Sequence, residues 1–245
     1  MSLSPEESAR YARHIVLKDI GGIGQQKIRA ARVLVVGAGG LGSPVIAALA
    51  AAGVGHLTLV DPDSVSLSNL QRQLLYGEAD VGRRKTEAAA GRLRALDHTL
   101  EIQIHEGRLT PGDLARMVRG ADVVLDCTDN FPTRFAINAA CVAARRPLVV
   151  GAAIRDQGQV FLVDPRVADA PCYACLYPEA GESAERCEDA GVYGPLVGVI
   201  GSLQAQMALQ LLLGQSPAPG VLHSFDAAAW RWHQARAQRD PACSI

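Results

Sequence analysis

The sequence predicts an α/β fold: a Rossmann-like, mainly parallel sheet with helices on both faces. The short β-branched run at residues 33–36 passes directly into a glycine cluster and an apolar helix, as a buried parallel strand does. Apolar runs and helical stretches then alternate as far as residue 151, which indicates parallel strands joined by helices. Beyond that point residues 159–163 alternate in polarity, which favours antiparallel C-terminal strands.

The chain opens with a predicted helical extension. Ser4 is a capping residue and Pro5 occupies the first turn. The glycines at 21–22 are expected to end this helix or the turn after it, before a second short helix at 25–31. Further helices are expected at 44–53, 82–96, 110–119, 133–145 and 193–213, strands at 56–60, 100–105, 121–127 and 147–151, and a hairpin at 221–236.

Composition limits the class of protein. The 245 residues are 49% hydrophobic and 20% charged, so we expect residues 1–245 to form a single domain with a real core. A net charge of -1 gives no field that would attract nucleic acid or an anionic membrane. Residues 1–7 lack the features of a signal peptide, and the alanine-rich stretch 44–54 is too short to span a bilayer. We therefore expect a cytoplasmic protein.

The glycine cluster predicts a nucleotide-binding turn. Gly37, Gly39 and Gly42 spell G-x-G-x-x-G, with Gly40 as an additional glycine. Such glycines permit a tight turn, close approach of the backbone to phosphate, and close packing of the helix on the sheet. Asp61 ends the next strand, about twenty residues later, where a ribose hydroxyl would be bound. The alternative is a bare packing turn, and the motif does not specify the nucleotide.

A polar segment follows the second strand. Ser68, Asn69, Gln71 and Arg72 offer hydroxyl, amide and guanidinium groups within a few residues, which suits phosphate oxygens. Because the segment lies beyond the carboxyl end of a strand, it is where open α/β sheets bind ligands. The alternative is a polar surface turn. Lys85 could also reach a phosphate, although a solvated basic helix face is the more ordinary explanation for a lysine in this basic stretch.

The strand at 121–127 contains an acid and precedes a second one. Asp129 and Asn130 follow within four residues of Asp126, and carboxylates at this end of a strand are suitable Mg²⁺ ligands. We assign the metal to Asp129, because Asp126 still belongs to the strand. One of the two acids could instead cap the following helix, and Thr133 is also eligible as the cap.

Three cysteines predict a zinc site. Cys172 and Cys175 form C-x-x-C in a loop rich in glycine and proline, a spacing typical of zinc knuckles, and Cys243 is a third candidate thiolate. Redox use of the pair is less favoured, because a redox pair usually opens a helix directly after a strand.

The other cysteines have different surroundings. Cys187 is a lone thiol in a charged segment, where a neighbouring cation would favour reactivity and neighbouring acids would oppose it. Cys127 and Cys141 have the apolar surroundings of small buried side chains.

Taken together, these segments resemble the bacterial ThiF/MoeB/HesA family, the prokaryotic relatives of ubiquitin-activating enzymes. The resemblance covers nearly the whole chain, and ordinary dehydrogenases do not combine its two polar segments. It is carried by residues 10–15, 37–42, 52–55, 67–73, 125–130, 171–175 and 190–192.

The resemblance implies a homodimeric nucleotidyltransferase that binds Mg-ATP. It would adenylate the C-terminal glycine of a ThiS- or MoaD-like ubiquitin-like sulfur carrier ending in Gly-Gly, with a separate sulfur donor. It implies that Gly40 lines the phosphate loop, Asp61 holds ribose and Asp129 holds Mg²⁺. Arg13 would enter from the other subunit, and Cys187 would lie in the loop that crosses the carrier tail. The implied nucleotide contacts are Gly37, Gly39, Gly40, Gly42, Asp61, Asp63, Ser68, Asn69, Gln71, Arg72, Lys85, Asp129 and Asn130.

The sequence departs from the family at the zinc site. Members usually close it with a second C-x-x-C, whereas here only Ser244 and Ile245 follow Cys243. A truncated chain, three thiolates with another ligand, and an absent zinc ion all stay open. Two rival functions also stay open: an NAD(P)-dependent oxidoreductase and a non-catalytic carrier-binding protein. The resemblance leaves the pathway undecided between molybdopterin, thiamine and another sulfur-containing product.

Overall fold

The computed structural model describes residues 3–107, 109–177, 190–215 and 217–245. Nine helices occur in these ranges: α1 Pro5–Arg10, α2 Ala12–Ile15, α3 Gly21–Ala30, α4 Gly42–Ala51, α5 Lys85–Leu96, α6 Pro111–Gly120, α7 Phe131–Ala144, α8 Tyr173–Leu176 and α9 Gly194–Leu212. The eight strands are β1 Arg32–Val36, β2 His56–Val60, β3 Glu101–His105, β4 Val123–Asp126, β5 Leu148–Ile154, β6 Gln157–Val163, β7 Val221–Asp226 and β8 Arg231–Arg236.

All eight strands form one sheet in the order β3-β2-β1-β4-β5-β6-β7-β8. The first five pair in parallel, and the last three pair antiparallel. The predicted Rossmann-like sheet with antiparallel C-terminal strands is therefore confirmed. The strand order reverses between β1 and β4, so the connections leave their carboxyl ends in opposite directions. Such a reversal opens a crevice at that edge of the sheet.

Both faces of the sheet are covered by helices. Val33 and Val35 of β1 belong to one buried cluster, which includes residues of α4, α5 and α9. Leu34 and Val36, the alternate residues of the same strand, belong to a second cluster with residues of α6 and α7. Because successive side chains of a strand point to opposite faces, a strand covered on both sides must be apolar throughout. This explains the uninterrupted apolar run.

The N-terminal extension is helical, as predicted, but one boundary is wrong. Ser4 caps α1: its Oγ accepts a hydrogen bond from the Glu7 amide at 3.1 Å, and Glu7 Oε2 accepts one from the Ser4 amide at 2.8 Å. Gly21 begins α3 instead of ending a helix. Within α3 it is Gly24 that serves packing, because a Cβ there would lie 2.8 Å from Leu213 Cδ2, beyond the end of α9.

Helix α9 is the one described helix long and apolar enough, by length and composition, to cross a membrane. Its residues Leu196, Val197 and Ile200 are buried in the core beside α4 and the sheet. A core helix of a folded domain passes the same criterion.

Candidate active site

A cavity of about 970 Å³ lies at the carboxyl ends of β1, β2 and β4. We call it the strand-end cavity. Its wall is formed by the glycine turn after β1, the segment after β2, the start of α5 and the residues between β4 and α7. The sequence therefore places three separate polar segments on one concave surface. Its volume is at the upper end of the range typical of small-molecule sites.

The glycine turn fits tightly between β1 and the segment after β4. Gly37 has φ +95°, and a Cβ there would lie 2.6 Å from the carbonyl oxygen of Cys127. A Cβ on Gly42 would overlap the carbonyl oxygen of Gly37. These two glycines are required for the turn itself, whereas Gly39 and Gly40 lie in the cavity wall.

Asp61 fixes this turn to the end of β2. It is 5% exposed, and its Oδ2 accepts a hydrogen bond from the Ala38 amide at 2.7 Å. Its Oδ1 accepts one from the Asp63 amide at 2.9 Å. Burial raises the pKa of Asp61, although Lys85 and these two amides oppose the change. Each carboxylate oxygen keeps an additional lone pair, so both can still accept a ligand hydroxyl.

Lys85 is buried, so its interpretation as a solvated basic face is wrong. Its side chain is 7% exposed, and Nζ donates to Asp63 Oδ2 at 2.9 Å. Nζ also lies 3.8 Å from Asp61 Oδ1. A lysine is seldom buried without a partner. Here the ammonium lies in the cavity wall beside two carboxylates.

The segment after β2 divides into cavity-lining and outward-facing residues. Asn69 and Arg72 line the cavity. Arg72 Nη1 donates to the Ser68 carbonyl at 3.1 Å, which holds its guanidinium over the 3-10 turn Leu67–Asn69. Ser68 and Gln71 are exposed and lie outside the described wall, so their phosphate contacts stay predictions.

Gln73 is a wall residue that the sequence did not single out. It is 2% exposed, and its Oε1 has no hydrogen-bond partner among the described residues. Its Nε2 would lie 3.6 Å from a Cβ on Gly39. Because buried polar atoms nearly always have partners, the unpaired oxygen makes this side chain a candidate contact for a ligand. Only its place in the polar segment could have identified it.

The two acids after β4 have different environments. Asp126 is fully buried, and its Oδ1 accepts hydrogen bonds from the Thr128 amide at 2.9 Å and hydroxyl at 2.7 Å. Burial raises its pKa. Asp129 is exposed and lines the cavity. The helix cap is neither acid nor Thr133: Asn130 Oδ1 accepts the Thr133 amide at 3.0 Å, which corrects the capping alternatives.

Arg134 is a second wall residue that the sequence analysis missed. It is 8% exposed, and its Nη2 donates to the Thr128 carbonyl at 2.6 Å. Its position in α7, one turn after Asn130, points it back at the loop. Nothing in the local sequence distinguishes this arginine from a surface one, since the contact depends on how α7 packs against β4.

Three thiols converge beside α7. Cys172 Sγ lies 3.8 Å from Cys175 Sγ and 3.7 Å from Cys243 Sγ. All three sulfur atoms lie within 4.8 Å of one another, and we call them the cysteine cluster. A tetrahedral zinc ion with Zn–S bonds of about 2.3 Å separates its thiolates by about 3.8 Å. The trio therefore fits zinc.

Two predicted residues lie apart from the strand-end cavity or beyond the described chain. Arg13 is exposed on α2 and is not part of the described cavity wall. Cys187 falls outside the described residues. Cys127 and Cys141 are buried, as predicted.

Comparison with known proteins identifies the family. The model of the ThiF family matches residues 11–245. The chain belongs to this family. It is 44% identical over 244 residues to molybdopterin-synthase adenylyltransferase of Escherichia coli (strain K12), covering 99% of this chain and 98% of that protein. It is 43% identical to the sulfur carrier protein ThiS adenylyltransferase of the same organism, covering 99% and 96%.

A solved structure shares the fold of this ThiF-family chain. The crystal structure of E. coli MccB with MccA-N7isoASN superposes with a TM-score of 0.83 at 25% identity. The match covers 96% of this chain and 74% of the MccB chain.

Proposed function

We propose that this ThiF-family protein is a nucleotidyltransferase that uses ATP to adenylate the C-terminal glycine of a small ubiquitin-like sulfur carrier protein. The observation that carries the proposal is the strand-end cavity, whose wall combines the glycine turn with Arg72, Lys85 and Asp129. The names of the relatives, adenylyltransferases of sulfur carriers or of molybdopterin synthase, support this activity over an oxidoreductase.

The chemistry requires positioning and charge neutralisation. A C-terminal carboxylate has a pKa of about 3.5 and is ionised at neutral pH, so no general base is needed. One of its oxygens bonds to the α-phosphorus of ATP while the bond from that phosphorus to the pyrophosphate oxygen breaks. The electron pair leaves with pyrophosphate, and the acyl adenylate stays. The cations of Arg72 and Lys85 offset the negative charge that develops on the leaving group.

The wall residues suggest how ATP is held. The amides of the glycine turn would contact phosphates, and Asp61 would accept the ribose hydroxyls. Asn69, Arg72 and Lys85 would bind phosphate oxygens. Further nucleotide contacts are proposed for residues in the same segments: Gly37, Gly39, Gly40, Gly42, Asp63, Ser68, Gln71 and Asn130.

Magnesium would be held by Asp129. An exposed carboxylate at the edge of the cavity is a suitable oxygen ligand for a hydrated Mg²⁺ ion that also contacts phosphates. The ion would neutralise phosphate charge. Asp126 is unsuited to this role, because Thr128 occupies one of its oxygens and the residue is buried.

We propose a cytoplasmic homodimer in which Arg13 completes the partner's cavity. The support is its exposure on α2, away from the described wall of its own subunit, together with its positive charge. All eight strands of the described chain form one sheet, so residues 1–245 would act as a single domain.

The cysteine cluster would bind structural zinc, with the fourth position filled by a ligand outside this trio. A separate protein would donate sulfur to the activated carrier. Cys187 would take part in that later transfer and not in adenylation.

The test is ATP–pyrophosphate exchange with purified protein, Mg²⁺ and a carrier ending in Gly-Gly. Exchange should depend on the carrier and disappear when its last glycine is deleted. ThiS-like and MoaD-like carriers tested in parallel would identify the pathway. Absence of exchange with every carrier, in protein that is folded and binds ATP, would favour a non-catalytic role. Hydride transfer from a nicotinamide cofactor would favour an oxidoreductase.

A further inference from the structure

Tyr173 lies in the sequence between two cysteines of the cysteine cluster, Cys172 and Cys175. It lies in α8, directly after Cys172 and two residues before Cys175, and it is 3% exposed. Its ring packs against Phe135 with centroids 5.7 Å apart and against Tyr177 at 5.1 Å. The backbone of Tyr173 is therefore held by the neighbouring cysteines, and its ring is held by packing against α7.

The hydroxyl of Tyr173 is connected to the strand-end cavity by hydrogen bonds through Arg134. Arg134 Nη1 donates to Tyr173 Oη at 3.3 Å, and the same guanidinium donates through Nη2 to the Thr128 carbonyl at 2.6 Å. Thr128 directly precedes Asp129, the proposed magnesium ligand. A chain of two hydrogen bonds thus connects the loop that carries the cluster with the loop that carries the acid.

A second hydrogen bond attaches the same residue to α7. The Tyr173 amide donates to Asn138 Oδ1 at 2.9 Å, and Asn138 is fully buried. Backbone and side chain of Tyr173 are therefore both bonded to one helix. A displacement of the cluster loop would move both contacts together, because they arise from a single residue.

We propose that Tyr173 is a positioning residue that couples the cysteine cluster to the strand-end cavity. Metal at the cluster orders α8, Tyr173 then orients Arg134, and Arg134 holds the Thr128–Asp129 loop in the geometry that binds Mg-ATP. The coupling is reciprocal, so Mg-ATP also raises the affinity of the cysteine cluster for the metal. The inference rests on the proposed function only in that the cavity binds Mg-ATP.

The experiment compares two tyrosines of the same aromatic group. Tyr173→Phe removes the hydroxyl that accepts from Arg134. Tyr177→Phe removes the neighbouring hydroxyl, which donates to Gln159 Oε1 at 2.8 Å instead. We expect the dissociation constant of Mg-ATP to rise about three- to tenfold in Tyr173→Phe, as loss of one hydrogen bond predicts, and to be unchanged in Tyr177→Phe. Zinc content and melting temperature are measured on both variants.

Metal removal tests the direction of the coupling. Chelation of zinc should weaken Mg-ATP binding about three- to tenfold in the wild type but less than about twofold in Tyr173→Phe, whose link is already broken. Re-addition of zinc should restore the wild-type value. The fraction of zinc that the cluster retains at equilibrium against a competing chromogenic chelator should rise when Mg-ATP is added to the wild type and stay constant in Tyr173→Phe.

Two results would overturn the inference. One is equal weakening of nucleotide binding by chelation in the wild type and Tyr173→Phe, and the other is equal behaviour of the two tyrosine variants. These outcomes leave the proposed function intact, since the wild type still binds Mg-ATP. Wild-type protein that bound no Mg-ATP would instead overturn the proposed function together with this coupling.

Discussion

The two halves of the sheet differ in burial and in what their strand ends carry. In the parallel half, every residue of β4 is buried, and the carboxyl ends of β1, β2 and β4 border the strand-end cavity. In the antiparallel half, every residue of β8 is exposed, and no described residue of β6, β7 or β8 lines that cavity. One half therefore positions polar groups for chemistry, and the other ends in a solvent-facing edge.

The difference follows from strand pairing. Parallel strands need helices on both faces, and their carboxyl ends meet at the same edge, so loops from separate strands converge there. Antiparallel strands alternate in direction and tolerate an open face. The outer strand β8 carries Arg231 and Arg236, and charged side chains at an edge oppose pairing with another chain. We therefore expect equivalent substitutions in the parallel and antiparallel halves of the sheet to have unequal effects on activity.

The largest expected contrast is between two acids near strand ends. Asp129→Ala should abolish pyrophosphate exchange while leaving the fold intact, because this exposed side chain is the proposed magnesium ligand and contributes little to packing. Asp226→Ala, at the end of β7, removes the acceptor of the Ala229 amide at 2.8 Å and should affect only the hairpin. Exchange rate and melting temperature are measured for both. Near-normal exchange by a folded Asp129→Ala protein would remove this residue from the mechanism.

The next largest effect is expected at Arg13 in the N-terminal helices. Arg13→Ala should lower the exchange rate by on the order of 10³, as loss of an arginine contributed across an interface does in phosphoryl transfer. Mixing Arg13→Ala with Asp129→Ala protein should restore about a quarter of wild-type activity after subunit exchange. Half of the dimers are then mixed, and each mixed dimer has one intact site.

Subunit exchange must be shown independently, for example by mass spectrometry of differently tagged chains. Lack of recovery after proven exchange would indicate that Arg13 acts within its own subunit. Each variant alone, incubated under the same conditions, is the control.

A third contrast concerns lysines. Lys85→Met should lower the exchange rate by about 10²–10³, the cost of losing one group that stabilises transition-state charge. Lys27→Met, on the exposed surface of α3, should have no effect. Steady-state kinetics with varied ATP would show whether the loss is in kcat or in KM. An unchanged rate in Lys85→Met would mean that its role is limited to pairing with Asp63 and Asp61.

Sequence alone predicted the elements whose signals are local. The glycine turn, Asp61 and the apolar strands all follow from short-range pattern, and the fold class depends on their order. The boundary predicted at the glycines 21–22 was wrong, because α3 begins at Gly21. Gly24 of the same helix packs against Leu213, nearly two hundred residues away. Packing between distant segments leaves no local pattern to read.

The same limit applies to the site. Asn69, Arg72 and Lys85 could be proposed because they lie in segments that follow strands. Arg134 and Gln73 could not, because their importance comes from burial and from partners that only the folded chain brings close. The convergence of Cys243 with the C-x-x-C pair was predictable from residue type, but its fit to a metal required the measured distances.

A smaller effect is expected for Cys187. Cys187→Ser should leave pyrophosphate exchange unchanged, because adenylation takes place at the strand-end cavity. The yield of carrier thiocarboxylate formed with a sulfur donor should fall, and mass spectrometry of the carrier measures it. Cys141→Ser is unsuitable as a control because that thiol is buried, so the matched comparison is wild-type protein. An unchanged yield would leave Cys187 without a catalytic role, and loss of exchange would assign it to the first step.

The smallest expected effect concerns two buried acids, Asp164 in the antiparallel half of the sheet and Asp61 in the parallel half. Their contributions to stability depend on pH in opposite directions. Burial acts to raise the pKa of Asp164, at the end of β6, but hydrogen bonds from Arg166 at 2.7 and 2.8 Å outweigh it and lower the pKa. Because the folded-state pKa is lowered, the stabilisation is present above the ordinary value of 3.8 and is lost as pH falls through the folded value. Burial raises the pKa of Asp61, so the contribution of Asp61 to stability changes with pH in the opposite direction.

Asp164→Asn should therefore lower the melting temperature by about 2–4 °C near neutral pH, without changing pyrophosphate exchange. The difference from wild type should shrink as the pH falls below 3.8, since protonated Asp164 no longer binds Arg166 as a carboxylate. Melting curves between about pH 3 and pH 7 measure it. A difference that is constant over this range would show that the loss comes from packing and not from the ion pair, and altered exchange would break the separation between the two halves.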